Sequence, residues 1–459
     1  MVSDKTHHHP TGAQLKATII LPYKLNTTND LLTSRAGLLA TGQLIETLNL
    51  AKHIDQHFPL PKSNRGFRPS EFIKTFILMQ HEGSFHLDDV RHLQEDEALR
   101  TILELNKLPK ATTLGDWLRR MGSQPDIQSA WVSVNKVLLQ SALHRCKKIT
   151  LDIDATEIVA YKAQAQWTYN KNKGFMPMVA HIAETGQILT IDFREGNIPP
   201  AKDNLAFIKQ CQQSLPKGCH LNALRIDAAG YQTKIIQYCD EQHIQYAIRA
   251  KTSATMRAQI AAISDSDWQP MMDKRGNKIE EEETCRTSFY IGDYETPFTL
   301  IIQRKPLKGQ AILDLNAQES SEELRNGGYL YRAIATNRNA LNNSQIIHWY
   351  NQRGEASENR IKELKLDFGG DTLPCTNFNA NALYFLISAL SYNLFSLMRQ
   401  LLPVELSLHR VTTIRWRLYA IAAKVVKTGR QLFVKLKEEN QALLGQVLTA
   451  LKEFKPPPI

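Results

Sequence analysis

The order of apolar runs between residues 149 and 250 constrains the fold of this chain more than any other feature. Three strand-like runs come first, each bounded by turn residues: ITLDIDATEIVAY, FMPMVAHIA and ILTIDFR. An amphipathic helix (NLAFIKQCQQSL), a strand (LNALRID), a second helix (QTKIIQYCDEQH) and another strand (IQYAIRA) follow. This order predicts an α/β fold with a mixed sheet, in which the first three strands form a meander.

The flanking segments have a different character. Residues 36–145 carry apolar residues at three- and four-residue steps, which predicts a helical region over 1–147 that binds DNA or mediates dimerisation. Short β-like runs, TSFYIGDY, FTLIIQR and AILDL, predict a β-rich insertion over 253–328 between two parts of the core, 148–252 and 329–400. We expect a C-terminal helical region over 401–459.

Composition narrows the class of protein. At 459 residues the chain exceeds one ordinary core, and its net charge of +10 favours a polyanionic partner. Its six cysteines form no C-x-x-C pair, which argues against a zinc finger and a disulfide scaffold. The N-terminus lacks an apolar signal region, and the longest apolar stretch (382–398) contains Asn393, so we expect a buried helix, no membrane partner and a cytoplasmic protein.

Three acidic residues are candidates for chemistry. Asp154 shares one face of a predicted strand with Asp152, and two acids facing a core are costly unless a cation neutralises them. Asp227 follows the run LNALRI, at the strand end where α/β folds place ligands. A solvated strand face and a helix N-cap are the structural alternatives for the two positions.

The third acid lies in the predicted helix HWYNQRGEASENRIKELK. Glu358 and Lys365 are seven residues apart, two helical turns, and therefore share a face. A carboxylate flanked by a cation could bind a metal while the cation holds a phosphate, although surface pairing of Glu358 with Lys362 is the simpler explanation.

The combination of LDIDAT, RIDAAGY and YNQRGEASENRIKELK resembles the DDE transposases of bacterial insertion sequences. More narrowly, it is similar to the group with a Tyr–Arg–Glu–Lys signature and a β-rich insertion. The similarity runs from about residue 40 to 400 and includes YNKNKGFMPMVAH and REGNIPPAKDN.

This resemblance implies an RNase H-like core with the first Asp on the first strand, the second just after the fourth strand and the Glu on a later helix. Asp154, Asp227 and Glu358 match these three positions as catalytic residues and metal ligands. Tyr350, Arg353 and Lys365 match the rest of the signature, which implies contacts with DNA. The cofactor implied is Mg²⁺ or Mn²⁺, two ions per active site, held by hard carboxylate oxygens.

One departure affects the helix. The family usually has three residues between the Arg and the Glu, whereas four separate Arg353 from Glu358 here. In a regular helix this places the two side chains roughly 140° apart instead of about 40°. Either the helix is irregular near Gly354, or Arg353 contributes differently; Glu355, which has Lys362 seven residues on, is a rival ligand.

The activity implied is cleavage at insertion-sequence ends and strand transfer into target DNA. The partners would be double-stranded DNA, as terminal inverted repeats and target, and a second copy of the chain in a synaptic homodimer. The alternatives are a metal-dependent nuclease without strand transfer and a catalytically inactive or domesticated DNA-binding protein.

The segment WTYNKNKGF is a further candidate for DNA contact. It carries Trp167 a few residues before Lys171 and Lys173. Aromatic rings can stack on an unpaired base while lysines hold the backbone. A β-hairpin whose aromatic side chains pack on the core is the alternative.

Overall fold

The computed structural model describes residues 19–20, 23–307 and 323–457. The predicted strand AILDL lies outside these residues.

The N-terminal part is helical, as predicted. Three short strands precede the helices: β1 (Ile19–Ile20), β2 (Tyr23–Lys24) and β3 (Leu31–Thr33). The helices are α1 (Leu39–Thr47), α2 (Leu50–His57), α3 (Pro69–Glu82), α4 (Val90–Glu95), α5 (Glu97–Ile102), α6 (Ala111–Gly122) and α7 (Ile127–Ala142). The spacing of apolar residues predicted α6 correctly because the residues at three- and four-residue steps form its single buried face: Leu114, Trp117, Leu118 and Met121.

The α/β core follows in the predicted order. Its elements are β4 (Lys148–Ala155), β5 (Ile158–Val159), β6 (Gln166–Trp167), β7 (Lys173–Phe175), β8 (Met178–Ile182), β9 (Ile188–Asp192), α8 (Asn204–Ser214), β10 (His220–Ile226), α9 (Thr233–Glu241) and β11 (Gln245–Arg249). β4, β8 and β9 form the antiparallel meander, whereas β10 runs parallel to both β4 and β11.

The β-rich stretch continues the same sheet. It consists of α10 (Ala254–Ala261), β12 (Gln269–Met272), β13 (Lys278–Ile291), β14 (Tyr294–Pro306), β15 (Leu324–Asn326) and β16 (Tyr329–Thr336). β16 pairs with β11, which gives the strand order β12-β13-β14-β16-β11-β10-β4-β8-β9 with β15 beside β16. The strands of the predicted insertion therefore extend the main sheet beyond β16.

The chain then returns to helices. They are α11 (Asn343–Lys362), α12 (Phe378–Leu401), α13 (Val404–Ser407) and α14 (Val411–Ile414), followed by the hairpin β17 (Ala423–Thr428) and β18 (Gln431–Lys435) and by α15 (Glu438–Glu453). π-helical turns occupy Glu363–Asp367 and Arg415–Tyr419, and short 3₁₀ turns occupy Ala36–Leu38, Leu87–Asp89, Ala228–Gly230 and Asp265–Asp267.

The N- and C-terminal segments share one core built around α12. This helix packs on α3, α6 and α7, and the same apolar cluster includes residues of α15. α12 is long and apolar enough to cross a membrane, but 94% of its most apolar window is buried inside the protein. The prediction of a buried helix is therefore confirmed.

The hairpin of β17 and β18 is a feature that the apolar pattern did not indicate. β17 pairs with β3, so the C-terminal segment is tied to residues almost 400 positions earlier. Four of the five residues of β18 are exposed, so its apolar residues do not alternate with polar ones as they do in a half-buried strand.

A buried amide joins the helical core to the sheet. Asn393 of α12 accepts a hydrogen bond from the Ile188 amide at 2.7 Å and donates to the Ile188 carbonyl at 2.8 Å. It also donates to Asn135 of α7 at 2.7 Å. Because Asn393 is fully buried, removal of its amide would leave each partner without its hydrogen bond and without water to replace it.

We predict that Asn393→Leu lowers the free energy of unfolding by about 2 kcal/mol or more, since it leaves buried polar groups unpaired. Gln400→Leu, at the exposed end of the same helix, should stay within about 0.5 kcal/mol of the wild type. Urea denaturation measures both, and equal losses in the two variants would contradict the proposed role of Asn393.

Candidate active site

Strand register brings the first two acids together. β4 and β10 are parallel with Ile153 opposite Ile226, so Asp154 and Asp227 are the next residues along the two chains. In a parallel pair, opposite residues project from the same face. The two carboxylates therefore occupy neighbouring positions at the carboxyl ends of adjacent strands, as expected for an RNase H-like core.

A tight turn holds Asp227 in place. Its carboxylate accepts a hydrogen bond from the Ala229 amide at 2.9 Å and caps the 3₁₀ turn Ala228–Gly230. A Cβ at Gly230 would lie 2.2 Å from Cγ2 of Ile226, so the turn packs too closely on the strand for a larger residue. Asp227 can therefore cap this turn and also bind a metal, because capping uses only one of its two carboxylate oxygens.

Two arginines anchor α11 to the sheet on either side of Glu358. Arg353 donates to the Ile153 carbonyl at 3.0 Å, and Arg360 donates to the carbonyls of Ile182 and Ala183 at 3.1 and 2.9 Å. Glu358 itself is exposed. The helix is therefore fixed across β4 and β8 with the Glu358 carboxylate facing solvent.

Asp154 and Glu358 line the same open cleft. Its volume is about 390 Å³, and its other lining residues include Thr156, Lys362 and Lys365. The side chain of Asp154 is 21% exposed at the base of this cleft. A phosphate group therefore has a route to Asp154.

The surroundings of Asp154 make its negative charge unfavourable. Burial raises its pKa to about 6, and the nearby carboxylates of Asp227 and Glu358 act in the same direction. Arg353 opposes them through an ion pair of 3.1 Å between Nη2 and Oδ1 of Asp154. Burial is thus the main reason for the raised pKa of Asp154, and the ion pair with Arg353 offsets part of it.

Asp152, by contrast, is fully neutralised by the protein. Arg225 of β10 binds both of its carboxylate oxygens, at 2.7 and 2.8 Å, and both side chains are buried. Arg225 also donates to the Trp349 carbonyl of α11 at 2.5 Å. Arg225 was not a candidate from the sequence, although R-x-D beside D-x-D in parallel strands places an arginine next to the inner aspartate.

Lys365 lies where α11 widens into its π-helical turn. Its Nζ donates to the Glu157 carbonyl at 2.6 Å and to Oγ1 of Thr156 at 3.4 Å. Burial lowers the pKa of Lys365, while Asp371 and Glu157 raise it. The cation thus borders the cleft just beyond Asp154.

The chemistry of the donor set suits a hard divalent cation. Carboxylate oxygens are the ligands Mg²⁺ prefers, and a bound cation would favour the charged form of Asp154, which burial disfavours. Among the described side chains, which do not include that of Glu355, no three from His, Cys, Asp or Glu lie close enough to form a ready metal site. The acids fit the cation chemically, and their side chains would have to draw closer around it.

The family of the chain follows from a sequence comparison. A family described as transposase DDE domain group 1 matches residues 22–456, nearly the whole length. The chain belongs to this family. No curated protein matches it.

A solved structure, the cryo-EM structure of piggyBac transposase synaptic complex with hairpin DNA, is similar at 11% identity and a TM-score of 0.44. The similarity covers 83% of this chain and 79% of that one.

The hairpin segment of this DDE transposase presents its aromatic side chains to solvent. Trp167 is 60% exposed and Tyr169 67% exposed, and Nζ of Lys173 lies 5.7 Å from the centre of the Trp167 ring. The structure therefore places Trp167 away from the core, whereas Phe175 at the end of the segment is buried.

Glu157 connects this hairpin to the cleft. Its carboxylate accepts hydrogen bonds from Thr168, Asn170 and Asn172, while its carbonyl binds Lys365. Because Glu157 follows Asp154 by three residues, the hairpin carrying Lys171 and Lys173 is anchored beside the cleft. Glu157 was not a candidate from the sequence.

Tyr350 and Arg353 lie inside the transposase core. Tyr350 is 6% exposed and packs beneath the guanidinium of Arg249, which is 5.1 Å from the ring centre. α11 is a regular α-helix from Asn343 to Lys362, and Arg353 points from it into the sheet. Direct contacts of Tyr350 and Arg353 with DNA stay a prediction. The side chain of Glu355 lies outside the described part of the chain.

The pKa of Asp154 predicts how the pH affects stability in metal-free protein. A folded-state pKa of about 6, against the ordinary aspartate value of 3.8, means that the folded state binds this proton more tightly. Wild-type stability should therefore fall by about 3 kcal/mol as the pH rises through this interval, and Asp154→Asn should escape that loss.

Urea unfolding of both proteins in chelator at pH 4, 5, 6 and about 7.5 measures this. The stability of Asp154→Asn relative to the wild type should increase up to about pH 6 and then level off. A difference that does not vary with pH would contradict this electrostatic description.

Proposed function

We propose that this transposase cleaves DNA at the ends of an insertion sequence and joins them to target DNA in a reaction that requires Mg²⁺ or Mn²⁺. The observation that carries the proposal is that Asp154 and Glu358 line one open cleft, while Asp227 directly follows the strand next to that of Asp154. Asp154, Asp227 and Glu358 would hold two divalent ions. Such ions, when bound, neutralise the scissile phosphate and favour deprotonation of the attacking water or 3′-hydroxyl.

The protein's own residues would position the substrate. Lys365, fixed by the carbonyl of Glu157, places a cation at the cleft wall where a phosphate oxygen would enter. Arg353 would hold the Asp154 carboxylate in a fixed orientation through its bond to the Ile153 carbonyl. Because Arg353 is buried and the side chain of Asp154 is only 21% exposed, water screens their ion pair weakly.

The exposed hairpin would contact the DNA beside the cleft. Trp167 would stack on an unpaired base of the transposon end, and Lys171 and Lys173 would bind its backbone. The link through Glu157 supports this, because it fixes the hairpin relative to Asp154. We further propose that two copies act together on terminal inverted repeats in the cytoplasm, since joining both ends of an element requires that they meet.

The test uses a plasmid that carries the gene with its flanking DNA. Alanine at Asp154, Asp227 or Glu358 should reduce Mg²⁺-dependent nicking by about a thousandfold or more, because the acids act as a unit. Binding of the same DNA should change little. Glu241→Ala, which removes an exposed carboxylate from α9, is the matched control and should nick normally.

The outcomes separate the alternatives. Nicking that persists at the wild-type rate in Asp227→Ala, or in chelator, would refute the metal mechanism. Loss of activity in Glu355→Ala with an active Glu358→Ala would move the third ligand to Glu355. Cleavage without joining of pre-cut ends to a target plasmid would identify a nuclease, and binding without cleavage a DNA-binding protein.

A further inference from the structure

Two π-helical turns meet beside the catalytic cleft. The turn Glu363–Asp367 ends the catalytic helix, and the turn Arg415–Tyr419 packs against it through an ion pair of 3.7 Å between Nη1 of Arg415 and Oδ1 of Asp367. Arg415 also donates to the carbonyls of Gln80 and His81, each at 2.8 Å. These bonds to α3 fix both turns, so the surface they form is rigid.

The outer side of these turns is basic and partly apolar. We define the basic ridge as Lys362, Leu366, Arg410, Trp416 and Arg417. All five side chains are exposed, with Leu366 at 53% and Trp416 at 74%. Lys362 and Leu366 also line the cleft that contains Asp154, so the ridge begins at the catalytic site.

The cations of the ridge are available to a ligand. Within the described residues, no carboxylate lies within 4.0 Å of Lys362, Arg410 or Arg417, and Arg417 contacts only a neutral or cationic partner, His409, at 3.2 Å. The two adjoining acids are already paired, Asp367 with Arg415 and Glu363 with Arg399 at 3.1 Å. The exposed charge of the ridge is therefore positive.

Two cations of the ridge influence the same carboxylate, that of Asp367. Burial raises the pKa of Asp367, while Arg415, Arg399, Arg410 and Lys362 lower it in that order. Arg410, from α14's N-terminal side, and Lys362, from the cleft, thus both lie near Asp367. Lys362 and Arg410 are therefore two exposed cations of one region of the surface.

We propose that the basic ridge binds the sugar-phosphate backbone of the DNA duplex where it leaves the catalytic cleft. This inference rests on the proposed function and adds a surface to it. Exposed, unpaired cations in a row complement a polyanion, and their attraction does not depend on base sequence. The Trp416 indole would pack on a deoxyribose or an end base between Arg410 and Arg417.

A second copy of the chain is the competing occupant, because an exposed Trp416 beside Leu366 also suits a protein interface. Charge argues against it. Two identical ridges facing each other would bring their unpaired cations together, since an isologous contact pairs a surface with itself.

The experiment compares the salt dependence of binding. Arg410→Ala/Arg417→Ala removes two ridge cations, and Arg145→Ala/Lys147→Ala removes two exposed cations at the amino-terminal edge of the sheet, opposite the cleft. Fluorescence anisotropy measures the affinity of each protein for a labelled duplex of arbitrary sequence between about 50 and 200 mM salt.

The ridge variant should bind less tightly at low salt, and the slope of log affinity against log salt should be less negative by about 1.8, or about 0.9 for each phosphate that is no longer neutralised. Over this salt range the affinity of the wild type would then fall by a factor about ten times larger than that of the ridge variant. The control variant should keep the wild-type slope, and Trp416→Ala should weaken binding without changing the slope.

Binding and nicking measured on the same proteins distinguish failure of this inference from failure of the proposed function. If the wild type binds the duplex and nicks the plasmid but the ridge variant has an unchanged slope, the ridge is not a DNA surface. If sedimentation shows a wild-type dimer that Trp416→Ala converts to monomer, the ridge is a protein interface and the inference is overturned. A wild type that binds but never nicks refutes the proposed function and leaves the slope comparison valid.

Discussion

The ion pair between Asp154 and Arg353 is the interaction on which the site depends. Asp154 is nearly enclosed at the end of β4, and two further acids raise the cost of its charge. Burial by itself would lower the pKa of Arg353, but Asp154 and the other nearby carboxylates hold it above its ordinary value. Each residue therefore favours the charged form of the other, and the guanidinium holds the carboxylate oriented toward the cleft.

The rest of the core divides the acids into two layers. One layer down the strands, Arg225 satisfies Asp152 completely and ties β4, β10 and α11 together. At the strand ends, Arg353 pairs with Asp154, and Asp227 and Glu358 lie near enough to disfavour the charge of Asp154. In the inner layer, aspartate and arginine thus form a structural pair. In the outer layer, which alone reaches solvent, the acids outnumber the arginine and leave negative charge in excess.

The sequence predicted those parts of the fold that depend on local periodicity. The α/β order, the meander and the positions of Asp154, Asp227 and Glu358 on their elements followed from apolar runs and their ends. The pairing of β16 with β11 did not, since register between distant strands is set by tertiary packing. The sharing of one core by α3, α12 and α15 has the same cause.

The site shows a similar division. The sequence placed the candidate acids on strand ends and a helix face, and the resemblance to the DDE transposases singled them out, whereas their ion-pair partners were not predicted. Arg225 and Glu157 act through contacts that only the folded chain creates, with Trp349 in one case and Lys365 in the other. The four residues between Arg353 and Glu358 indicated either an irregular helix or a different contribution from Arg353, but its inward orientation is visible only in the folded chain.

Metal-directed cleavage of the protein backbone tests the central claim most directly. Fe²⁺ bound in place of Mg²⁺, with ascorbate and peroxide, generates hydroxyl radicals that cut the chain close to the ion, and mass spectrometry locates the cuts. We predict cuts beside Asp154, Asp227 and Glu358 in the same sample, suppressed by excess Mg²⁺. Cuts beside only one of these residues, or a pattern that Mg²⁺ does not change, would contradict a shared divalent-cation site.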